Sequence, residues 1–214
     1  MRATPGIAVL RRAQLVLADR IASVSPPAMP LTADLVGQSK GQFAQALVTT
    51  LLEYAGYLVR RVGVEEVVTD VRRLRGWDEQ IELPPALAAM PDLLVISETL
   101  CAAKLVEVKF RHRFDDATAR ELAAALAYQH RFWPDAWAVV VTGEPPGGPS
   151  AQYQDYLRVV LPEDVEGLER DGPPALRWTR LPTLGAVFRA VHDAPGFHAE
   201  VDRLTAVLRA WAAA

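Results

Sequence analysis

The sequence has little of what would place a protein in a membrane or in an oxidising compartment. Its single cysteine, Cys101, cannot form an internal disulfide bond. No apolar run is long enough for a signal peptide or a membrane span, since Arg12, Asp19 and Arg20 interrupt the apolar residues near the N-terminus. We therefore expect a soluble, cytoplasmic protein that has no membrane partner.

The chain also lacks an excess of basic residues and a glycine-rich phosphate loop. Its formal net charge of −3 argues against a protein that is basic throughout, but it leaves room for a local basic surface on an acidic body. The segment PPGGPS at residues 145–150 follows an apolar run. It has neither the lysine nor the helix start that a nucleotide cradle needs, so a P-loop protein is not indicated.

What is present is an ordinary globular composition, with 50% hydrophobic residues in 214. This length suits one domain with additions. Residues 1–36 are predicted to form an N-terminal helix and a proline-rich linker, because Pro26, Pro27 and Pro30 cannot continue a helix. Residues 37–150 are predicted to form the core. Residues 151–214 are predicted to be a C-terminal extension that packs on the core and ends in an amphipathic helix.

Hydrophobic patterns within the core predict an α/β order. A helix is expected from residue 37 to a stop at Gly56, followed by a strand over residues 64–74. The segments PDLLVIS and AWAVVVTG are nearly all apolar and predict strands that are buried on both faces. Between them, KLVEVKFRHR alternates as a strand does, and DDATARELAAALAYQHRF predicts a helix capped by Asp115 or Asp116. Helix, three strands, helix and strand indicate a central mixed sheet, to which the later segment YLRVVLPEDV could add a strand.

Three polar residues in this region have the chemistry of a metal site. Asp92 stands at the head of one predicted strand, and Glu107 and Lys109 lie two residues apart on the next, so that they share a face. A hard cation such as Mg²⁺ binds carboxylate oxygens and keeps several waters. A lysine beside it can orient water or offset charge on a phosphate. If the two strands form a hairpin, Asp92 approaches Glu107, and we predict that the three residues form a catalytic centre.

A plainer interpretation remains open for these residues. An acid and a lysine two residues apart on a strand are common on a solvated face. Glu107 and Lys109, however, have strongly apolar neighbours, and charges in the middle of a sheet cost free energy unless they have partners or a metal. An edge strand would avoid that cost, and the sequence allows an edge.

The motif order resembles the PD-(D/E)XK nuclease superfamily, which includes restriction endonucleases and Holliday-junction resolvases. Pro91 and Asp92 match the first half of the motif, and Glu107–Val108–Lys109 matches the second. Upstream, KGQFAQALVTTLLEYAGYLV is similar to a helix of resolvase-like members that begins with a glycine and ends in Gly-Tyr. Gln45 occupies the position of its metal-associated glutamate. Gln129 falls where several branches carry a helical glutamine or tyrosine. The resemblance covers residues 37–142.

This resemblance implies an α/β fold with a restriction-endonuclease-like core, a four-stranded mixed sheet with helices on both faces. It implies that Asp92, Glu107 and the backbone carbonyl of Val108 bind Mg²⁺, for which Mn²⁺ can substitute. Lys109 would contact the attacking water. An amide at position 45 holds a cation less well than a carboxylate, so Gln45 puts full activity in doubt.

Arginines provide a candidate phosphate-contacting surface, although solvated ends of strands and helices explain them equally well. Arg111 is the first candidate among them because it continues the face of Glu107 and Lys109; the others are Arg60, Arg61, Arg72, Arg73, Arg75 and Arg113, with His112 beside them. Neither the pair His192 and His198 nor Cys101 has a spacing typical of a metal or nucleophile site.

The leading hypothesis is a Mg²⁺-dependent endo- or exodeoxyribonuclease with DNA as its partner. The alternative is a catalytically inactive nuclease-fold protein that binds nucleic acid or serves as an assembly module. A third hypothesis is an unrelated α/β domain in which Glu107 and Lys109 form a surface ion pair. The sequence leaves both a monomer and a homodimer open.

Overall fold

The structure, a computed structural model, describes residues 33–64, 83–97, 102–145, 155–171, 176–188 and 206. The predicted N-terminal helix, the strand over 64–74 and the C-terminal helix lie almost entirely outside these residues. The helices and strands in chain order are α1 (Ala33–Tyr54), β1 (Leu58–Arg61), α2 (Pro85–Ala88), β2 (Leu93–Ile96), β3 (Ala103–Arg113), α3 (Asp116–His130), β4 (Trp137–Glu144), β5 (Leu157–Val160), α4 (Pro162–Asp171) and α5 (Leu184–Val187), with a 3₁₀ turn at Trp178–Arg180 before α5.

The strands form one mixed sheet in the order β1-β2-β3-β4-β5. Strands β1, β2 and β3 are antiparallel neighbours, β4 is parallel to β3, and β5 returns antiparallel to β4. The crossover from β3 to β4 contains α3, as a parallel connection requires. The predicted α/β class is confirmed. The sheet has five strands rather than the expected four, because residues 157–160, which lie in the segment assigned to the C-terminal extension, extend it at β5.

Helix α1 ends where the sequence predicts. Gly56 has a φ of 91°, a backbone conformation that glycine adopts without steric cost. The N–H of Tyr57 then donates to Leu52 O at 3.0 Å, and the N–H of Gly56 donates to Glu53 O at 3.0 Å. These two bonds satisfy the last carbonyls of the helix. The helix begins at Ala33, inside the predicted linker, because the residues ADLV that follow the last proline are all compatible with a helix.

The core lies on both faces of the sheet. On one face α1 packs through Leu47 and Leu51 against valines of β3 and β4. On the other, α3 packs through Leu122 and Leu126 against Val140. Strand β4 is buried on both faces, as predicted, whereas β2 alternates between buried and half-buried residues. The prediction that β2 is buried on both faces is therefore wrong. Among the described residues, no helix covers its second face as α3 covers that of β4.

Strand β3 lies in the middle of the sheet, with β2 on one side and β4 on the other. The edge position that the sequence allowed for Glu107 and Lys109 is therefore not observed. None of the helices in the described part of the chain is long and apolar enough to cross a membrane.

Candidate active site

The candidate site lies where β2 begins beside β3. Strand β2 pairs only with the first part of β3, from Leu93 opposite Val106 to Ile96 opposite Ala103. Beyond Val106, β3 continues alongside β4 alone, through Arg113 opposite Glu144. Among the described residues, no strand therefore pairs with this side of β3 from Glu107 onward. Asp92 precedes β2 at this point, and the continued register places it opposite Glu107.

The backbone of Asp92 is fixed by the residues that follow β1. Its carbonyl accepts from the N–H groups of Val62 at 2.9 Å and Gly63 at 3.2 Å. Its side chain is half-buried and reaches β3, where Oδ2 accepts from the N–H of Val108 at 2.8 Å. This bond ties the first half of the motif to the middle of the second half. The predicted approach of Asp92 to the strand of Glu107 is observed.

The same bond shows which way Val108 faces. In a strand, the N–H and the C=O of one residue point towards the same neighbour, as the paired bonds of an antiparallel ladder require. Since the Val108 N–H donates to Asp92, the carbonyl of Val108 is directed to the same side of β3, the side that β2 leaves uncovered. The backbone oxygen that the resemblance assigns to a metal is therefore on the flank of β3 that Asp92 occupies.

Glu107 is a buried carboxylate, with 5% of the residue exposed. Its Oε1 forms an ion pair with Lys109 Nζ. Its Oε2 accepts from Gln129 Nε2 at 2.8 Å. A buried charge costs several kcal/mol unless it has partners, and here both carboxylate oxygens have one. The resemblance drew attention to Gln129, and the structure brings it into contact with Glu107.

Gln129 is itself held by the end of α2. Its amide nitrogen also donates to the carbonyl of Ala89 at 3.1 Å, and the residue is 9% exposed. Both hydrogens of the amide are therefore used, one on the backbone and one on Glu107. Because α3 carries Gln129 on its buried face, the side chain positions Glu107 from the α3 face of the sheet.

Lys109 lies two residues beyond Glu107 on the same face of β3. Its side chain is 32% exposed, against 7% for the side chain of Glu107. The ammonium group therefore partly faces solvent while it contacts the buried carboxylate. This position suits a group that has to meet a substrate, and it neutralises Glu107 in the absence of a cation.

Gln45 approaches the site from α1, on the opposite face of the sheet. Its Nε2 donates to Asp92 Oδ1 at 2.7 Å, and its Oε1 accepts from Arg61 Nη2 at 2.8 Å. Gln45 therefore contacts the candidate carboxylate, as its place in the motif suggested. The sequence did not predict the contact with Arg61, because β1 is a short strand whose pattern gave no sign of its register.

The three basic residues at the end of β3 are paired with acids outside the candidate site. Arg111 Nη2 lies 3.2 Å from Glu121 Oε1, and Arg113 Nη2 lies 2.9 Å from Glu144 Oε2. His112 also contacts Glu144, at 3.1 Å. The hydrogen bond from Arg113 lowers the pKa of Glu144, and the charges of Arg113 and His112 add to this. Arg111 thus belongs to the site's face but contacts Glu121 rather than the two carboxylates.

The structure describes only some of the other residues that the sequence singles out. Arg72, Arg73, Arg75, His192, His198 and Cys101 lie outside the described residues. Trp133 donates to the carbonyl of Ala86 at 2.9 Å, and Trp137 packs edge-on against Phe188 at 5.5 Å between ring centroids. These two tryptophans therefore pack within the fold.

The described residues include no group of three or more histidine, cysteine, aspartate or glutamate side chains that could hold a metal ion. Two carboxylates with a backbone carbonyl still suit Mg²⁺, which binds through one or two carboxylates and keeps several waters. No protein-family model, curated protein or solved structure matches this chain.

Proposed function

We propose that this chain is a metal-dependent nuclease of the PD-(D/E)XK type that hydrolyses phosphodiester bonds in DNA. The observation that carries the proposal is the bond from Val108 N–H to Asp92 Oδ2, at 2.8 Å. It joins two motif halves that are 15 residues apart, counted from Asp92 to Glu107. A chance acid and lysine on a strand would not need an aspartate from a separate element beside them.

The topology supports the same proposal. Helix α1, the antiparallel strands β1 to β3, the crossover helix α3 and the parallel strand β4 follow one another along the chain, although β1 is Leu58–Arg61 and not the strand predicted over residues 64–74. Helices α1 and α3 contribute to the cores on opposite faces of the sheet. Within the first four strands this is the mixed, two-sided arrangement that the resemblance implies. On this proposal β5 is an addition to a restriction-endonuclease-like core.

Each residue has a distinct role in the proposed reaction. Asp92, Glu107 and the Val108 carbonyl would hold Mg²⁺, which supplies polarisation of the phosphate and easier ionisation of water. Lys109 orients the attacking water and offsets negative charge on the phosphate oxygens. The attacking water loses a proton to solvent as its oxygen bonds to phosphorus, the bond from phosphorus to one ester oxygen breaks, and the leaving oxygen takes up a proton from solvent. Gln129 keeps Glu107 in place throughout.

A second candidate function is binding of nucleic acid without cleavage. It is favoured by the donors around the carboxylates, because Asp92 accepts from Gln45 and Val108 while Glu107 is bound by Gln129 and Lys109. The oxygens of both carboxylates therefore have partners without a cation. Gln45 in particular offers Asp92 a donor where a carboxylate would offer a cation a further ligand.

Cleavage assays separate the two candidates. Purified protein is incubated with supercoiled plasmid, linear duplex, single-stranded and branched DNA, and RNA, with Mg²⁺ or Mn²⁺ or with excess chelator. We expect cleavage of DNA that requires the cation and stops with chelator. Binding of Mn²⁺ with every substrate left intact would instead favour the non-catalytic function. Absence of Mn²⁺ binding in calorimetric titration would overturn the metal site itself.

A further inference from the structure

Two glutamines hold the two carboxylates of the site, one from each face of the sheet. Gln129 on α3 donates to Glu107, and Gln45 on α1 donates to Asp92. The nitrogen of Gln129 has a backbone carbonyl as its second partner. Gln45 differs because its oxygen is bound by a charged side chain, that of Arg61. The two amides are therefore fixed by different means.

The contacts with Arg61 and with Asp92 select the same orientation of the Gln45 amide. A guanidinium group has only donors, so it must meet an oxygen. The amide oxygen of Gln45 therefore faces Arg61, and the NH₂ group is left to face the carboxylate. The reversed amide would place NH₂ against the guanidinium and an oxygen against a carboxylate, two mismatched contacts at hydrogen-bonding distance.

We propose that Arg61 is a positioning residue: it fixes the orientation of the Gln45 amide and, through that amide, the carboxylate of Asp92. Gln45 then acts as a hydrogen-bond donor that holds Asp92, not as a cation ligand. Arg61 takes part in the site from β1, so its role is structural rather than that of a free phosphate contact. The effect on cation binding rests on the proposed function, whereas the effect on the amide does not.

Arg61 can also influence the site in a simpler way. Its positive charge repels a dication through space whatever residue stands at position 45. A double-mutant cycle removes this contribution, because the repulsion is common to both backgrounds. Only an effect that passes through the Gln45 side chain remains as coupling between the two positions.

The chain offers a matched control next to Arg61. Arg60 carries the same charge on the same strand, but it is exposed and donates to the carbonyl of Val59 at 3.1 Å. Consecutive strand residues point to opposite faces. Arg60→Met therefore removes an equal charge one residue away and leaves the Gln45 amide untouched.

The first test needs no cation. The side-chain NH₂ signals of Gln45 are followed by two-dimensional ¹⁵N–¹H NMR and assigned by their loss in Gln45→Met. We expect Arg61→Met to shift these signals, as Asp92→Asn should, and Arg60→Met to leave them in place. Should Arg61→Met not fold, Arg61→Gln serves in its place. Unmoved Gln45 signals in the Arg61 variant would overturn the proposal.

The second test measures Mn²⁺ affinity by calorimetric titration of wild type, Arg61→Met, Gln45→Met and the double variant. The effect of Arg61→Met should differ by about threefold or more between the wild-type and Gln45→Met backgrounds, as is usual for residues in contact. A smaller difference would mean that Arg61 acts by through-space charge alone, and the proposal would be wrong. If wild type binds no Mn²⁺, the proposed function fails while the NMR test still decides the role of Arg61.

Discussion

Strands β3 and β4 run parallel through the middle of the sheet, yet they bury different chemistry. The register places Glu107 opposite Ala138 and Lys109 opposite Val140. Ala138 and Val140 are buried against α3 and need only packing. At the same level of the same face, β3 carries an acid that is 5% exposed and a lysine. At this level of the sheet β4 thus buries apolar side chains, whereas β3 carries a buried acid and a partly exposed lysine.

The difference teaches what a buried charge requires in this fold. Burial of each valine of β4 stabilises the folded state by about 1.5–3 kcal/mol. Burial removes water from the Glu107 carboxylate, which costs free energy, and the contacts with Lys109 and Gln129 offset that cost. Replacing a buried ion pair by apolar residues is often neutral or stabilising. Folding alone therefore does not explain the polar residues of β3, and the proposed function would give them a role.

The largest expected effect separates the roles of Asp92 and Lys109. Asp92→Ala should abolish both Mn²⁺ binding and cleavage, since it removes a cation ligand. Lys109→Ala should spare Mn²⁺ binding while it lowers the cleavage rate on the order of a hundredfold, the usual cost of losing one electrostatic contact. Rates and calorimetric affinities for both variants test this. Asp135→Ala, which removes an exposed acid on a turn, is the control and should behave as wild type. Equal activity in wild type and Asp92→Ala would identify a contaminating nuclease.

The next largest effect is expected for a valine of β4, and it concerns the stability of the fold alone. Val139 is 0% exposed, and Val139→Ala removes two buried methyl groups. We expect the free energy of unfolding to fall by about 2 kcal/mol, measured by urea denaturation. The Mn²⁺ affinity should stay as in wild type. Loss of Mn²⁺ binding in this variant would show that packing of β4 and the site on β3 are not separable.

Loss of the hydrogen bond from Gln129 to Glu107 of β3 should lower both stability and activity. Gln129→Leu leaves Glu107 without its amide donor, and an unsatisfied buried partner costs about 1–3 kcal/mol. Urea denaturation measures this loss, and cleavage should slow because Glu107 is no longer held. Glu121→Gln on the exposed side of the same helix is the control, expected to change stability by less than about 0.5 kcal/mol. A fully stable Gln129→Leu would contradict the importance of the bond to Glu107.

The smallest effect concerns the exposed ends of the two strands, where Glu144 of β4 meets Arg113 of β3. The hydrogen bond from Arg113 lowers the pKa of Glu144 below its ordinary value of 4.5. A carboxyl with a lowered folded pKa stabilises the fold above the unfolded pKa, and this contribution is lost as the pH falls through the folded value. Arg113→Gln should therefore lower the melting temperature slightly at pH 7, where the contribution is fully present, and the melting temperatures of variant and wild type should converge as the pH falls below about 4.5. An unchanged acid profile would show that the pair makes no net contribution.

The sequence determined the elements whose signals are local. The end of α1 at Gly56 follows from the need of a helix C-terminus for a residue with positive φ. Asp115 caps α3 by accepting from the N–H of Thr118 at 2.8 Å, as its position before the helix predicted. The continuous valines of β4 predicted its burial on both faces. Such features depend on residues near one another in the chain. The shared face of Glu107 and Lys109 is also a local feature, because it follows from their spacing of two residues on one strand.

Only the tertiary structure decided how these elements meet. The segment YLRVVLPEDV had indicated a possible further strand, but its place at the edge beside β4 depends on pairing between distant segments. The central position of β3 and the short strand β1 depend on such pairing too, and the four residues of β1 have too little pattern to predict it. The sequence predicted that Asp92 approaches Glu107, and it named Gln45 and Gln129 as further candidates without indicating their contacts. Their contacts depend on the register of β2 against β3 and on the faces that α1 and α3 cover. Arg61 joined them only through folding, because a hydrogen bond across 16 residues is a property of the packed chain and leaves no periodic trace in the sequence.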